Sequence, residues 1–262
     1  NSGGSNSHNS AVGAGAGTSI TTGNQNTIFG SAAADALTDA DFNVVMGYNA
    51  LSSDTLGSKS TALGTDTLAT QNYTTATDSF NTAVGYQAGT AITTGVQNTL
   101  VGGLAGDSLT DADFNVAVGV TALDADTLGS RSTALGYAAL TAQNFTTATN
   151  VYNVAVGFQA GAAVTTGVDN TLIGGLSGDA ITDADFNVAV GNSSLSANTV
   201  GSKNTAIGSS ALLVMNPATA ADMHNTAVGF QAGRLVSTGG SNTFVGSLAG
   251  TGSTSGGNNT GI

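Results

Sequence analysis

The sequence predicts an all-β chain, a parallel β-solenoid of the β-roll kind, and three observations predict it. A short motif, Asn or Ser, then Thr, Val or Ser, then two apolar residues and Gly, recurs fourteen times. Its glycines are Gly13, Gly30, Gly47, Gly64, Gly85, Gly102, Gly119, Gly136, Gly157, Gly174, Gly191, Gly208, Gly229 and Gly246, in steps of 17, 17, 17 and 21 residues with a superperiod of 72. The composition opposes helix: 38 Gly, no Glu among 16 acidic residues, only four Lys and Arg, and abundant Thr, Ser, Asn and Asp. A single repeat of this size has no partner for its apolar face, whereas stacked repeats bury a continuous one. Residues 1–8 read as a polar lead-in and 9–262 as one solenoid domain of 14 rungs, a segment of a longer fibre.

Within a rung the positions divide by the two-residue period of a strand. The residue before Gly is always bulky (Phe29, Met46, Leu63, Val84, Val101, Val118) and is expected to point inward. The residue before that, most often Ala (Ala62, Ala83, Ala117, Ala134), is expected on the outer face, and the Thr or Val preceding it inward again. A second Ala column follows Gly by three (Ala88, Ala105, Ala122, Ala160), and two small columns suggest close packing of several chains. The Thr-Thr-Gly triplets at 21–23, 93–95 and 165–167 and the Thr-Leu-Gly-Ser segments at 55–58 and 127–130 mark return turns. The extra residues of the long rungs, around Gln71-Asn72-Tyr73 and Gln143-Asn144-Phe145, are expected to bulge outward. The loops 69–80, 141–152 and 213–224 then become candidate binding loops.

Register predicts ladders. Four residues before Gly stands a column of Asn, including Asn81, Asn98 and Asn115, broken by Ser60 and Ser132. Stacked amides can hydrogen-bond along such a file. One position earlier the column reads Phe42, Lys59, Phe80, then Phe114, Arg131, Tyr152, then Phe186, Lys203, His224. Each cation falls between rings of adjacent rungs, which predicts cation–π contacts.

Three corners 72 residues apart carry Asp-x-Asp: Asp39 and Asp41, Asp111 and Asp113, Asp183 and Asp185. Carboxylates at a turn are oxygen ligands for Ca²⁺; the same residues also cap backbone N–H groups. The loop spacing of an EF-hand and the Gly-Gly-x-Gly-x-Asp repeat are both absent. No cofactor other than this Ca²⁺ is expected.

Charge and composition exclude several classes. A net charge of −12 repels nucleic acid and anionic membrane surfaces, and no apolar run approaches the ~20 residues of a membrane span. His8 and His224 are the only histidines and Cys is absent, so nucleophilic triads and zinc sites have no material. The chain is therefore expected not to be an enzyme.

The segments Asn81-Thr-Ala-Val-Gly-Tyr-Gln-Ala-Gly89, Asn153-Val-Ala-Val-Gly-Phe-Gln-Ala-Gly161 and Asn225-Thr-Ala-Val-Gly-Phe-Gln-Ala-Gly233 resemble repeats of bacterial surface and phage tail-fibre-like proteins. They are also similar to the head repeats of YadA-like trimeric autotransporter adhesins. That resemblance implies a left-handed β-roll, a homotrimer, and a place outside the cell, on its surface or on a virion. It departs from this chain in having shorter, more uniform turns. The expected function is a structural and adhesive fibre giving reach and multivalent attachment, its receptor or glycan unspecified. Two alternatives belong to other classes: a glycan-cleaving spike using paired Asp, and a Thr-rich solenoid that binds ice or mineral.

Overall fold

The computed structural model describes residues 7–262; the lead-in 1–8 thus lies largely outside the described residues. The chain is all-β, a parallel β-solenoid in two compact units. The first comprises the residues up to Arg131 with Thr146–Thr149, the second Ser132–Phe145 with Asn150–Ile262.

In the first unit seven strands pair in parallel and in chain order: Ser10–Val12, Thr27–Phe29, Val44–Met46, Thr61–Leu63, Thr82–Val84, Thr99–Val101 and Val116–Val118. In the second, eight do so: Thr133–Leu135, Val154–Val156, Thr171–Ile173, Val188–Val190, Thr205–Ile207, Thr226–Val228, Thr243–Val245 and Thr260–Gly261. Registers follow the sequence period, with Val84 opposite Val101 and Val101 opposite Val118. Like residues stand in files.

Corners are made by single left-handed residues. In the rung closing at Gly85 these are Phe80 (φ 50°), Gln87 (φ 55°) and Gly89 (φ 59°). Gly85 itself has φ 141°, a region open only to Gly. A Cβ there would also come under 3.0 Å from the carbonyl of Gly102 in the next rung. Backbone hydrogen bonds run from rung to rung around the corners, as from Gln87 N–H to Thr65 (2.9 Å) and from Gly89 N–H to Ala105 (3.0 Å).

The inward column differs from the sequence expectation. The middle strand residue is the buried one: Ile28, Val45, Ala62, Ala83, Leu100, Ala117. Its neighbours face out: Thr82 and Val84 are half-buried, and Phe29 and Met46 are exposed. The Ala file three after Gly is fully buried too, for instance Ala88 and Ala105. Both small columns line the interior of the coil, because the coil is thin and larger side chains enter it from elsewhere. Alternation was right; its phase was inverted.

Bulk reaches the core at two positions, four and seven residues after Gly, and they exchange roles. Rungs closing at Gly85 and Gly102 have Gly89 and Gly106 at the first position, and Ile92 and Leu109 at the second. Those closing at Gly119 and Gly136 have Leu123 and Leu140, followed by Asp126 and Gln143. All eight are buried or line the buried interior. A Cβ on Gly89 would meet Leu100 at 2.7 Å, Leu68 at 3.0 Å and Ile92 at 3.1 Å, so the missing side chain makes room for the aliphatic one three residues on. Two rungs of one kind alternate with two of the other, holding interior volume constant.

The long rungs also differ from expectation. Gln71 and Tyr73 are buried, as are Gln143 and Phe145. The residues that protrude are Thr74, Thr75 and Ala76, and likewise 146–148. The strand after the bulge, Thr77–Asp78, pairs in parallel with Gly57–Ser58; Ala221–Asp222 pairs likewise with Gly201–Ser202.

Candidate functional surface

The Asn file works through the main chain more than through amide stacking. Asn98 is buried. Its Oδ1 accepts the N–H of Asn115 (2.9 Å), and its Nδ2 donates to the carbonyl of Ala112 (2.8 Å), three residues earlier in that same rung. Asn81 does the same with Asn98 N–H (2.9 Å) and Gly95 O (2.8 Å). In the second unit Asn170 N–H and Gly167 O are held by Asn153 at 2.9 and 2.7 Å. Asn81, Asn98 and Asn153 therefore each clip the following rung at two points. The amide-to-amide contact is longer there, Asn98 Nδ2 to Asn81 Oδ1 at 3.3 Å, and shortens along the file to 3.0 Å from Asn242 to Asn225 and 2.8 Å from Asn259 to Asn242.

The breaks in the file are explained by a buried polar layer that the motif alone did not mark. Ser60 is shorter than Asn, and the space it leaves takes the end of Gln71, whose Nε2 donates to Ser60 Oγ (2.9 Å) and to Asp54 Oδ2 (2.6 Å). Asp54 Oδ1 accepts the Gly57 N–H (2.9 Å), and Asn81 Nδ2 donates to Gln71 Oε1 (2.9 Å). Tyr73 closes the layer by donating to Gly95 O (2.8 Å). In the third superperiod Asn198 stands for Asp54, Met215 for Gln71 and Asn204 for Ser60. Asn198 keeps the clasp, accepting Gly201 N–H (2.8 Å) and donating to Gly201 O (2.7 Å). Every buried side-chain nitrogen or oxygen among the described residues has a partner.

Burial raises the pKa of Asp54 against the lowering effect of its Gln71 and backbone hydrogen bonds, and no cation lies among the causes. Tyr73 is pushed up by burial and then by Asp54. Desolvation also raises Asp107, which neighbours Asp124, and Asp113. A folded-state pKa above the unfolded one means that the fold binds the proton more tightly. The stability from Asp54 is then fullest below its ordinary value near 3.8 and is lost as pH rises through the folded pKa. The triple variant Asp54→Asn/Ser60→Asn/Gln71→Met, which copies Asn198, Asn204 and Met215 of the third superperiod, should flatten this part of a stability–pH profile measured by urea denaturation. An unchanged slope would remove Asp54 as its source.

The ring-and-cation column is exposed or half-exposed at every member described. Lys59 Nζ lies 5.0 Å from the Phe80 ring centroid and 2.5 Å from Asp78 Oδ2. The Arg131 guanidinium lies 4.6 Å from the Phe114 centroid. Lys203 is instead held by Asp222 at 2.6 Å, between Phe186 and His224 in the file. Tyr152 and Phe42 are exposed members of the same column.

The Asp-x-Asp corners serve the backbone. Asp41 Oδ1 accepts Asn24 N–H (2.7 Å), Asp113 Oδ1 accepts Val96 N–H (2.7 Å) and Asp185 Oδ1 accepts Val168 N–H (2.8 Å), each reaching one rung back. Asp39 and Asp111 accept from the hydroxyls of Thr22 and Thr94, and Asp183 from its neighbour Thr182 (3.1 Å). Among the described residues no three His, Cys, Asp or Glu side chains gather as metal ligands.

The outward face of each strand column was the other surface missed. Thr82 and Val84, Thr99 and Val101, Val116 and Val118 present alternate side chains to it, with Phe80 and Phe114 along one edge and Tyr86 and Val120 along the other. Its signal in the sequence is the bulky residue before every Gly, read with the opposite phase. No family model, no curated protein and no solved structure matches the chain.

Proposed function

We propose that this chain is a structural and adhesive fibre segment, working outside the cell, on its surface or on a virion, as a homotrimer. The observation behind this reading is the outward apolar face, renewed at every rung. The step from the ring column to the residue before Gly spans four residues, about 13 Å, and seven strands cover about 29 Å. That is about 400 Å² in each unit, against ~800 Å² per partner in a standard interface. Each unit thus offers part of such an interface. A rigid file of repeats gives reach, and three copies give avidity to weak contacts.

Light scattering of the eluting chain should return about 76 kDa, three times 25.3 kDa. Met46→Asp/Val101→Asp, both on the outward face, should shift it to the monomer while strand signal in circular dichroism persists. A wild-type mass of one chain would end the trimer reading.

A second reading has its own observation. The Thr file three before Gly faces outward rather than inward, as at Thr61, Thr82 and Thr99, and such a file suits ice or mineral. Thermal hysteresis in supercooled solution would support it; freezing at the buffer control would remove it.

A further inference from the structure

We propose that the exposed rings Tyr86, Phe158 and Phe230, each with the Gln that follows it, are stacking sites for neutral hexopyranose glycans, which specifies the receptor class of the adhesive reading and rests on it. These rings are 56%, 54% and 52% exposed, and they recur once per 72 residues in Tyr-Gln-Ala-Gly or Phe-Gln-Ala-Gly. One rung further along the file stands Gly103, Gly175 or Ser247, each too small to cover the ring itself, although at Gly175 the Asn192 amide reaches back to the Gly175 carbonyl (3.1 Å). A Cβ on Gly103 would meet nothing within 4 Å. On its other side Phe158 stacks against Tyr137, centroids 5.5 Å apart and planes 11° from parallel. The ring is thereby fixed with its free face toward the Gly175 rung.

The second component is an unengaged amide. Gln87, Gln159 and Gln231 are held by the backbone at φ 55°, 51° and 55°, with each N–H bound to the rung before. Their side-chain amides make no hydrogen bond among the described residues. An apolar ring followed in the chain by a free donor and acceptor matches the C–H face and adjacent hydroxyls of a pyranose. Charge selects among sugars. At −12 the chain repels anionic glycans, and three of its four basic residues sit in the ring column before the strand, on the far edge. The second unit places Phe158 and Phe230 four rungs apart, about 19 Å at ~4.8 Å per strand, so one extended polysaccharide reaches both.

Saturation-transfer NMR on the full chain tests this, with maltohexaose, cellohexaose and chitohexaose as probes and 3′-sialyllactose as the charged control. Transfer to at least one neutral hexasaccharide is expected, with at least a fivefold loss in Tyr86→Ala/Phe158→Ala/Phe230→Ala. A second variant, Gly103→Val/Gly175→Val/Ser247→Val, fills all three notches without removing a ring and should lose the signal equally; it serves if the first does not fold. No transfer to any neutral probe, transfer untouched by a folded variant, or equal transfer to the sialylated sugar overturns the proposal. Cell adhesion of the same proteins separates the two readings. A wild-type chain that adheres as well as its variants overturns the ring sites alone, and one that does not adhere overturns the adhesive fibre.

Discussion

Gly102→Ala should be among the most damaging methyl additions in the chain, costing roughly 3 kcal/mol or more. Two effects add. Gly102 has φ 140°, where an L-residue is strained, and a Cβ there would press on the carbonyl of Gly119 in the next rung. Neither can relax separately, since turning the backbone to relieve φ breaks the bond from Gly102 N–H to Val84 O (2.8 Å). Gly103→Ala, one residue on, has open space and no positive φ, and should leave the urea midpoint within about 0.5 kcal/mol. Because each rung leans only on its neighbours, hydrogen exchange should report the Gly102→Ala damage chiefly in the strands at 82–84, 99–101 and 116–118. Equal midpoints for the two variants would overturn the close-approach argument.

Asn98→Ala should follow, at roughly 2–6 kcal/mol, from two buried groups orphaned at about 1–3 kcal/mol each. The Asn115 N–H and the Ala112 carbonyl both lose their partner. Asn98→Asp separates them: the carboxylate still accepts the N–H but turns an acceptor toward the Ala112 carbonyl. Its loss should therefore be smaller at acid pH, where the protonated form donates, than at pH 7. Equal urea midpoints for wild type and Asn98→Ala would show that Asn98 merely starts the strand.

The stacking and its register were legible because Gly recurs at fixed distances, and a close backbone approach leaves no alternative residue. The Asn file was legible for the same reason. What escaped was the phase of the strand. Ala at the middle position looked like an outer contact, since the large buried side chains, such as Leu68 and Ile92, come from positions outside the motif. The buried layer at Asp54 and Gln71 escaped because its polar residues look like ordinary turn residues when a rung is read alone. Comparing superperiods exposes it: Ser60 goes with Gln71, and Asn204 with Met215. A covered carboxylate was unreadable from spacing, which carries no information on depth.

The buried polar layer sets the grain size at which such a chain is edited. Removing the 17-residue repeat that carries Asp54 and Ser60 would leave the buried Gln71 amide without either of the oxygens it donates to. Excising or duplicating the whole 72-residue cassette preserves every neighbour relation. Length can therefore change in steps of four rungs without refolding the interior.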